Sequence, residues 1–222
     1  MKLYHLISGP LRVNVYALVN DKNDAVIIDC GENYKKLKQA EQQYGFKIKA
    51  LLLTHAHFDH SGCAKKLQDD GVIVYIGALD AHKLLDDGNL SCHFGRSFDY
   101  LTADKTVMDG DEINECGMCF KVISTPGHTN GSVCYLIDDM LFSGDTLFLE
   151  CVGRTDFPTG DRNQMVASVK KLFALDGDYS VYPGHEDFTT LSHERKFNMF
   201  ADYWPEGYRK IYGCPGIGRI DS

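Results

Sequence analysis

Apolar residues crowd two early stretches, residues 13–19 and 25–28, parted by the polar run Asn20-Asp21-Lys22-Asn23-Asp24. That pattern predicts two strands joined by a turn. Tyr34, Leu37, Ala40, Glu41 and Tyr44 then recur at helical spacing, with Gly45 where a C-terminal cap belongs. Residues 48–53 read as a buried strand. Beyond His60, a short amphipathic helix carries Cys63, Ala64 and Leu67 on one face and ends at Gly71, before a strand at 72–76. Strand and helix alternate, which predicts a layered α/β fold. Residues 86–104 are polar and mixed, and are expected to form a long surface loop. From 106 to 142 short strands follow one another, with turn signals at Gly110, Gly117, Gly127, Gly131 and Asp138-Asp139. Asp161 opens a helix, with Gln164 three residues on as a capping partner and an apolar stripe of Met165, Val166, Val169, Leu172 and Phe173. A strand at 179–182 and a helix at 190–200 complete the pattern. No linker or low-complexity tract interrupts it, so residues 1–222 are read as one domain.

Composition narrows the function. Hydrophobic residues make up 44% and charged residues 24%, which excludes disorder for most of the chain. The net charge of −8 offers no basic face to nucleic acid or to an anionic membrane. No apolar run approaches the ~20 residues of a membrane span. The first ten residues turn polar too early for a signal peptide. The eight cysteines are an even number, yet a chain with this much core does not need bridges. Free thiols in a reducing cytoplasm are therefore expected. Cys116-Gly117-Met118-Cys119 lies between two strand patterns and has no second C-x-x-C to complete a metal site, so it reads as a hairpin turn.

The chemistry gathers around histidine. Thr54-His55-Ala56-His57-Phe58-Asp59-His60 follows an apolar strand directly and packs imidazole nitrogens and a carboxylate into one small volume. These are donors for zinc and for harder divalent ions. His55 and His57 are two apart and reach the same side of an extended or turning backbone; Asp59 and His60 are offset toward a second position. Two further segments, 122–128 and 180–185, each run strand, Pro-Gly, His, and present His128 and His185 just past a strand end. Phe142-Ser143-Gly144-Asp145-Thr146 ends another apolar strand in a carboxylate. His5, His82, His93 and His193 belong to no such pattern and read as surface or packing residues.

Together these segments, in this order, resemble the metallo-β-lactamase-fold hydrolase superfamily, over roughly residues 13–200. The tail at 201–222, with Tyr203, Trp204 and Tyr208, falls outside the resemblance. Within the superfamily the chain is most similar to glyoxalase II-like (hydroxyacylglutathione hydrolase-like) enzymes, and residues 152–161 resemble a short single-domain branch of them. The resemblance implies an αββα sandwich, two packed mixed sheets flanked by helices, with the site at one edge between the sheets. It implies two divalent metal ions, zinc foremost, with iron or manganese as alternatives. One would take His55, His57 and His128, the other Asp59, His60 and His185, with Asp145 bridging. Asp29, at another strand end, would orient the ligands from behind.

The implied reaction is attack of metal-bound hydroxide on a thioester or ester carbonyl, with a further proton-transfer role open to Asp59. The substrate would be a small molecule, an anionic thioester such as an acylglutathione. Arg154 stands where relatives contact a substrate carboxylate, but an internal ion pair with Asp156 or Asp161 is the plainer expectation. Larger glyoxalase II enzymes carry a C-terminal helical domain, and only 37 of the 222 residues follow His185. Three other readings share the ligand pattern: a persulfide dioxygenase with a single iron, a lactonase, and a metal-bound scaffold without catalysis. A β-lactamase fits less well, because its usual patterns lack a histidine at the position of His60 and often carry cysteine where Asp145 stands. RNA-processing relatives share the aspartate motif, but the negative charge disfavours RNA.

Overall fold

The apolar runs are continuous rather than alternating because both faces of the strands are covered. The computed structural model describes residues 1–200. One sheet has the order β1 (Lys2–Ser8), β2 (Val13–Val19), β3 (Asp24–Ile28), β4 (Lys47–Leu53), β5 (Ile73–Gly77) and β6 (Lys105–Val107). The second runs from β7 (Glu112–Glu115) through β8 (Met118–Ser124), β9 (Val133–Ile137), β10 (Met140–Gly144) and β11 (Ser180–Pro183) to β12 (Thr189–Thr190). Both are mixed: β3 to β6 are parallel, β10 and β11 are parallel, and the other pairs are antiparallel. This is the layered α/β arrangement expected.

Alternate residues of the same strand serve different layers. Tyr16, Leu18, Ala50 and Leu52 meet Phe120, Val122, Tyr135 and Phe142 between the sheets. Val15, Ala17, Leu51 and Leu53 face the other way and pack beneath α1 (Tyr34–Tyr44) and α3 (Ala64–Asp69), through Leu37, Ala40, Ala64 and Leu67. On the outside of the second sheet, Leu141 and Val181 meet Leu172 of α4 (Arg162–Phe173) and Leu191 of α5 (Leu191–Phe197). The one-turn helix α2 (Phe58–Ser61) lies inside the histidine segment.

Local signals act as read. Gly45 caps α1 in the left-handed conformation at φ 70°. The Asp161 side chain accepts from the Gln164 N–H at 2.9 Å at the start of α4. Cys116 and Gly117, both at positive φ, make the two-residue hairpin between β7 and β8. Cys30, Cys63, Cys92, Cys116, Cys119 and Cys134 are free thiols, as expected for them.

Three expectations change. β1 was not anticipated, because an edge strand needs little apolar patterning, and here only Ser8 is buried. Residues 86–104 are irregular but are not merely surface: Leu90 and Leu101 are buried. The last helix stops at Phe197, after which Asn198 turns extended and its amide donates to Cys151 O and Glu194 Oε2. The aromatic tail lies outside the described residues. Among the described residues no helix is long and apolar enough to cross a membrane.

The sheets are registered by two fully buried tyrosines. Tyr135, from the second sheet, donates its hydroxyl to the carbonyl of Leu53 at 2.7 Å, the last residue of β4. Tyr16, from the first sheet, donates to the carbonyl of Pro183 at 2.6 Å, the last residue of β11. Burial pushes both phenols well above their ordinary range, so they stay protonated donors. Backbone bonds add to these ties, from Val133 N to Thr54 O at 2.9 Å and from Asn14 N to Gly184 O at 2.7 Å. Removing either hydroxyl takes away a buried hydrogen bond, although the Pro183 carbonyl keeps the Asn14 amide as a donor. Tyr16→Phe and Tyr135→Phe should each lower stability by about 1–3 kcal/mol in chemical denaturation. No loss in either variant would show that packing alone registers the sheets.

Candidate metal centre

Every residue of the cluster follows the C-terminal end of a strand. Asp29 follows β3, His55 to His60 follow β4, His128 follows β8, Asp145 follows β10 and His185 follows β11. Because β8 and β10 both run antiparallel to β9, their ends, with that of β11, fall on one edge of the second sheet. The tyrosine ties hold that edge against the corresponding edge of the first sheet.

Three ring nitrogens converge at one point. His57 Nδ1 lies 3.0 Å from His55 Nε2 and 2.9 Å from His128 Nε2. A second group sits alongside. His185 Nε2 is 3.2 Å from His60 Nε2 and 3.3 Å from Asp59 Oδ2. Asp145 stands between the two: Oδ2 is 3.4 Å from His128 Nε2 and 3.7 Å from His185 Nε2, and Oδ1 is 3.3 Å from His60 Nε2. The structure therefore brings together all seven residues that the resemblance assigned to metal.

The rings are aimed from behind. His60 donates Nδ1–H to Asp29 Oδ2 at 2.8 Å. His128 donates to the carbonyl of Arg154 at 2.7 Å, and His185 to that of Leu11 at 3.0 Å. His55 Nδ1 meets Thr54 Oγ1 at 3.1 Å, and that hydroxyl donates in turn to Asp29 Oδ2 at 2.9 Å. Carbonyls and carboxylates only accept, so in His60, His128 and His185 the Nδ1 carries a proton and Nε2 points inward. His57 is turned round and offers Nδ1. Asp29, at a left-handed φ of 54°, also accepts the Thr54 N–H at 2.8 Å and so locks β3 to β4 at the site.

Electrostatics suit a cation. Burial holds His55 and His57 well below the usual imidazole range, helped by the neighbouring rings, so both stay neutral as metal ligation requires. Burial also opposes ionisation of Asp145, but His185, His60 and His128 outweigh it and hold its carboxyl well below the usual range. One buried polar atom between the two groups, Asp145 Oδ1, has no hydrogen-bond partner among the described residues. Converging lone pairs and an under-used carboxylate are what a divalent ion would satisfy, so the donor set fits the implied metals.

The two Pro-Gly-His turns need their glycines for different reasons. Gly127 adopts φ 147° against the first turn of α4, where a Cβ would lie 2.5 Å from the Met165 backbone. A Cβ on Gly184 would instead lie 2.3 Å from Asp145 Oδ1 and 2.7 Å from His60 Cε1, inside the cluster.

Sequence reasoning missed three supports. Asp80 is fully buried and accepts from Ala56 N, Thr129 Oγ1 and Gly131 N at 2.9–3.0 Å and from Lys83 Nζ at 2.6 Å, tying the His55 loop to the His128 loop. Its sequence signal, an acid and a base three apart, usually marks an exposed helix face. Asn14 donates to Pro183 O and Glu186 O at 3.0 and 2.9 Å and braces the turn that carries His185. A lone polar residue inside an apolar run was the clue. His5, read as surface or packing, reaches Asn14 Oδ1 at 2.8 Å and lines the cavity over the site. Arg154 also lines that cavity, but its guanidinium makes two 2.7 Å bonds to Asp156 and lies 3.7 Å from the centre of the Phe157 ring.

The comparisons agree with this geometry. The family described as Metallo-beta-lactamase superfamily matches residues 8–185. A probable metallo-hydrolase of Streptococcus pyogenes serotype M6 is 34% identical, over 90% of this chain and 90% of its own. The hydroxyacylglutathione hydrolase GloC of Haemophilus influenzae is 31% identical, over 85% of this chain and 92% of its own. Among solved structures, BLEG-1 B3 metallo-β-lactamase superposes with a TM-score of 0.86 at 34% identity, covering 90% of this chain and 100% of that one. TTHA1623 in a di-iron-bound form gives 0.80 at 33%, covering 89% and 99%. The chain belongs to the metallo-β-lactamase superfamily, with the histidine and aspartate metal site of a metal-dependent hydrolase.

Proposed function

We propose that the chain uses two divalent ions to hydrolyse a thioester or ester of a small molecule, in the manner of a hydroxyacylglutathione hydrolase. The observation that carries this is the double convergence of donors, His55, His57 and His128 on one side and Asp59, His60 and His185 on the other, with Asp145 between them. Bound there, the ions supply a water acidified toward neutrality and a Lewis acid for the carbonyl. The chain's own residues do the rest. Asp29 and the carbonyls of Leu11 and Arg154 fix the rings. Asp59, buried at the cavity wall, carries a carboxylate that can hold a proton during turnover. Similarity to GloC supports a thioester substrate; the di-iron relative makes iron as eligible as zinc.

A panel of S-lactoylglutathione, simple thioesters, a lactone, a β-lactam and, by oxygen uptake, glutathione persulfide tests the reading. The β-lactam belongs there because of the likeness to BLEG-1. Thioester turnover is expected to lead, and His57→Ala should lose both metal and turnover. Oxygen uptake without thioester cleavage would replace the hydrolase by the dioxygenase alternative. Gly184→Ala should keep its far-ultraviolet dichroism yet lose about 10–100-fold in metal affinity, as substitutions that displace ligands do. Unchanged affinity would show that the close approach of Gly184 is not required.

A further inference from the structure

We propose, building on the hydrolase reading, that the substrate carries a bulky apolar acyl group, alkyl or aryl, seated on an aromatic wall beside His57. The cavity over the site is about 740 Å³, far more than a short acyl group fills. Phe58, Leu90, Phe94, Phe148, Val152 and Phe157 line it. The wall is continuous: ring centroids are 5.4 Å apart from Phe58 to Phe94 and 5.9 Å from Phe94 to Phe157, and Phe157 meets the His57 ring at 5.9 Å. An apolar chain attached to a carbonyl held at the cluster would touch this wall from its first carbons.

Phe94 is 37% exposed and faces into that cavity. Its loop, residues 86–104, is polar for most of its length, yet it delivers Leu90 and Phe94 to this one place. Aromatic surface left open beside convergent polar groups is the usual form of a small-molecule site.

Charge argues the same way. A substrate bearing several carboxylates would need free cations along the cavity. Arg154 is committed to Asp156 and stacked on Phe157, so it extends the wall more than it offers a charge. The other formally charged lining residues away from the cluster are Arg12, Glu186 and Asp187, all within two residues of His185 or of its backbone partner Leu11. Two acids against one base make no cradle for a polyanion.

Two measurements on the metal-loaded full chain test this. The first is kcat/KM for one thiol esterified with acetyl, butanoyl, hexanoyl, octanoyl and phenylacetyl groups. The second is calorimetric binding of the product carboxylates, acetate through octanoate, which needs no turnover. A buried methylene contributes about fourfold, so octanoyl over acetyl should gain at least about thirtyfold in each series even with partial burial. Phe94→Ala should cut the octanoate-to-acetate binding ratio at least about tenfold, and Phe94→Leu should restore most of it. A ratio below thirtyfold in wild type, or one untouched by Phe94→Ala, overturns the proposal. If thioesters are cleaved without chain-length preference, the acyl wall fails and the hydrolase reading stands. If octanoate binds with the expected ratio but no thioester is cleaved, the hydrolase reading fails and the wall stands.

Discussion

Five imidazoles and two carboxylates gathered within a few ångströms of one another, all of them buried except the partly buried Asp145 and His185, are costly unless a cation lies among them. Ring nitrogens face one another at 2.9–3.2 Å, and His57 Nδ1, shared between His55 and His128, cannot satisfy both contacts with one proton or one lone pair. The rest of the molecule is organised to hold this unfavourable set in place. Each donor is on a short segment past a strand end, so the backbone cannot drift far. All but one of the rings have Nδ1 tied off behind, which leaves Nε2 no freedom to turn away.

The supports form a chain of buried polar bonds around the site. Tyr16 and Tyr135 fix the edge of one sheet against the other. Asn14 holds the turn of His185, Asp29 ties β3 to β4 behind His60, and Asp80 with Lys83 joins the loops of His55 and His128. Breaking the Asp80–Lys83 pair would strand a buried charge, which ordinarily costs far more than the pair's own net contribution. The polar groups around the metal centre therefore serve specificity of geometry more than stability as such.

Much of this was legible in the sequence, for physical reasons. Strands buried on both faces need continuous apolar runs, so residues 13–19, 25–28 and 48–53 declared themselves. Metal ligands must be histidine or acid, and they crowd at strand ends, so all seven cluster residues stood out in three short motifs and one segment. What stayed hidden depends on contacts across the fold. Asp80 and Asn14 look ordinary until distant backbone groups point at them. β1 lies at an edge and needs almost no apolar signature. The irregular stretch at 86–104 has no period, so nothing along the chain tells that Phe94 turns inward to the cavity. Arg154 carried two readings, and its bidentate contact with Asp156 was one of them.

Chemistry and selectivity thus rest on different layers. The strand ends fix what reaction the site can perform, while the loops that bring Leu90, Phe94 and Phe157 over it fix what can enter. The central claim concerns the first layer, and metal content measured together with anomalous diffraction tests it most directly. Two divalent ions per chain are predicted, one among His55, His57 and His128 and the other among Asp59, His60 and His185. A single ion per chain at saturating metal, or ions bound away from these residues, would contradict it.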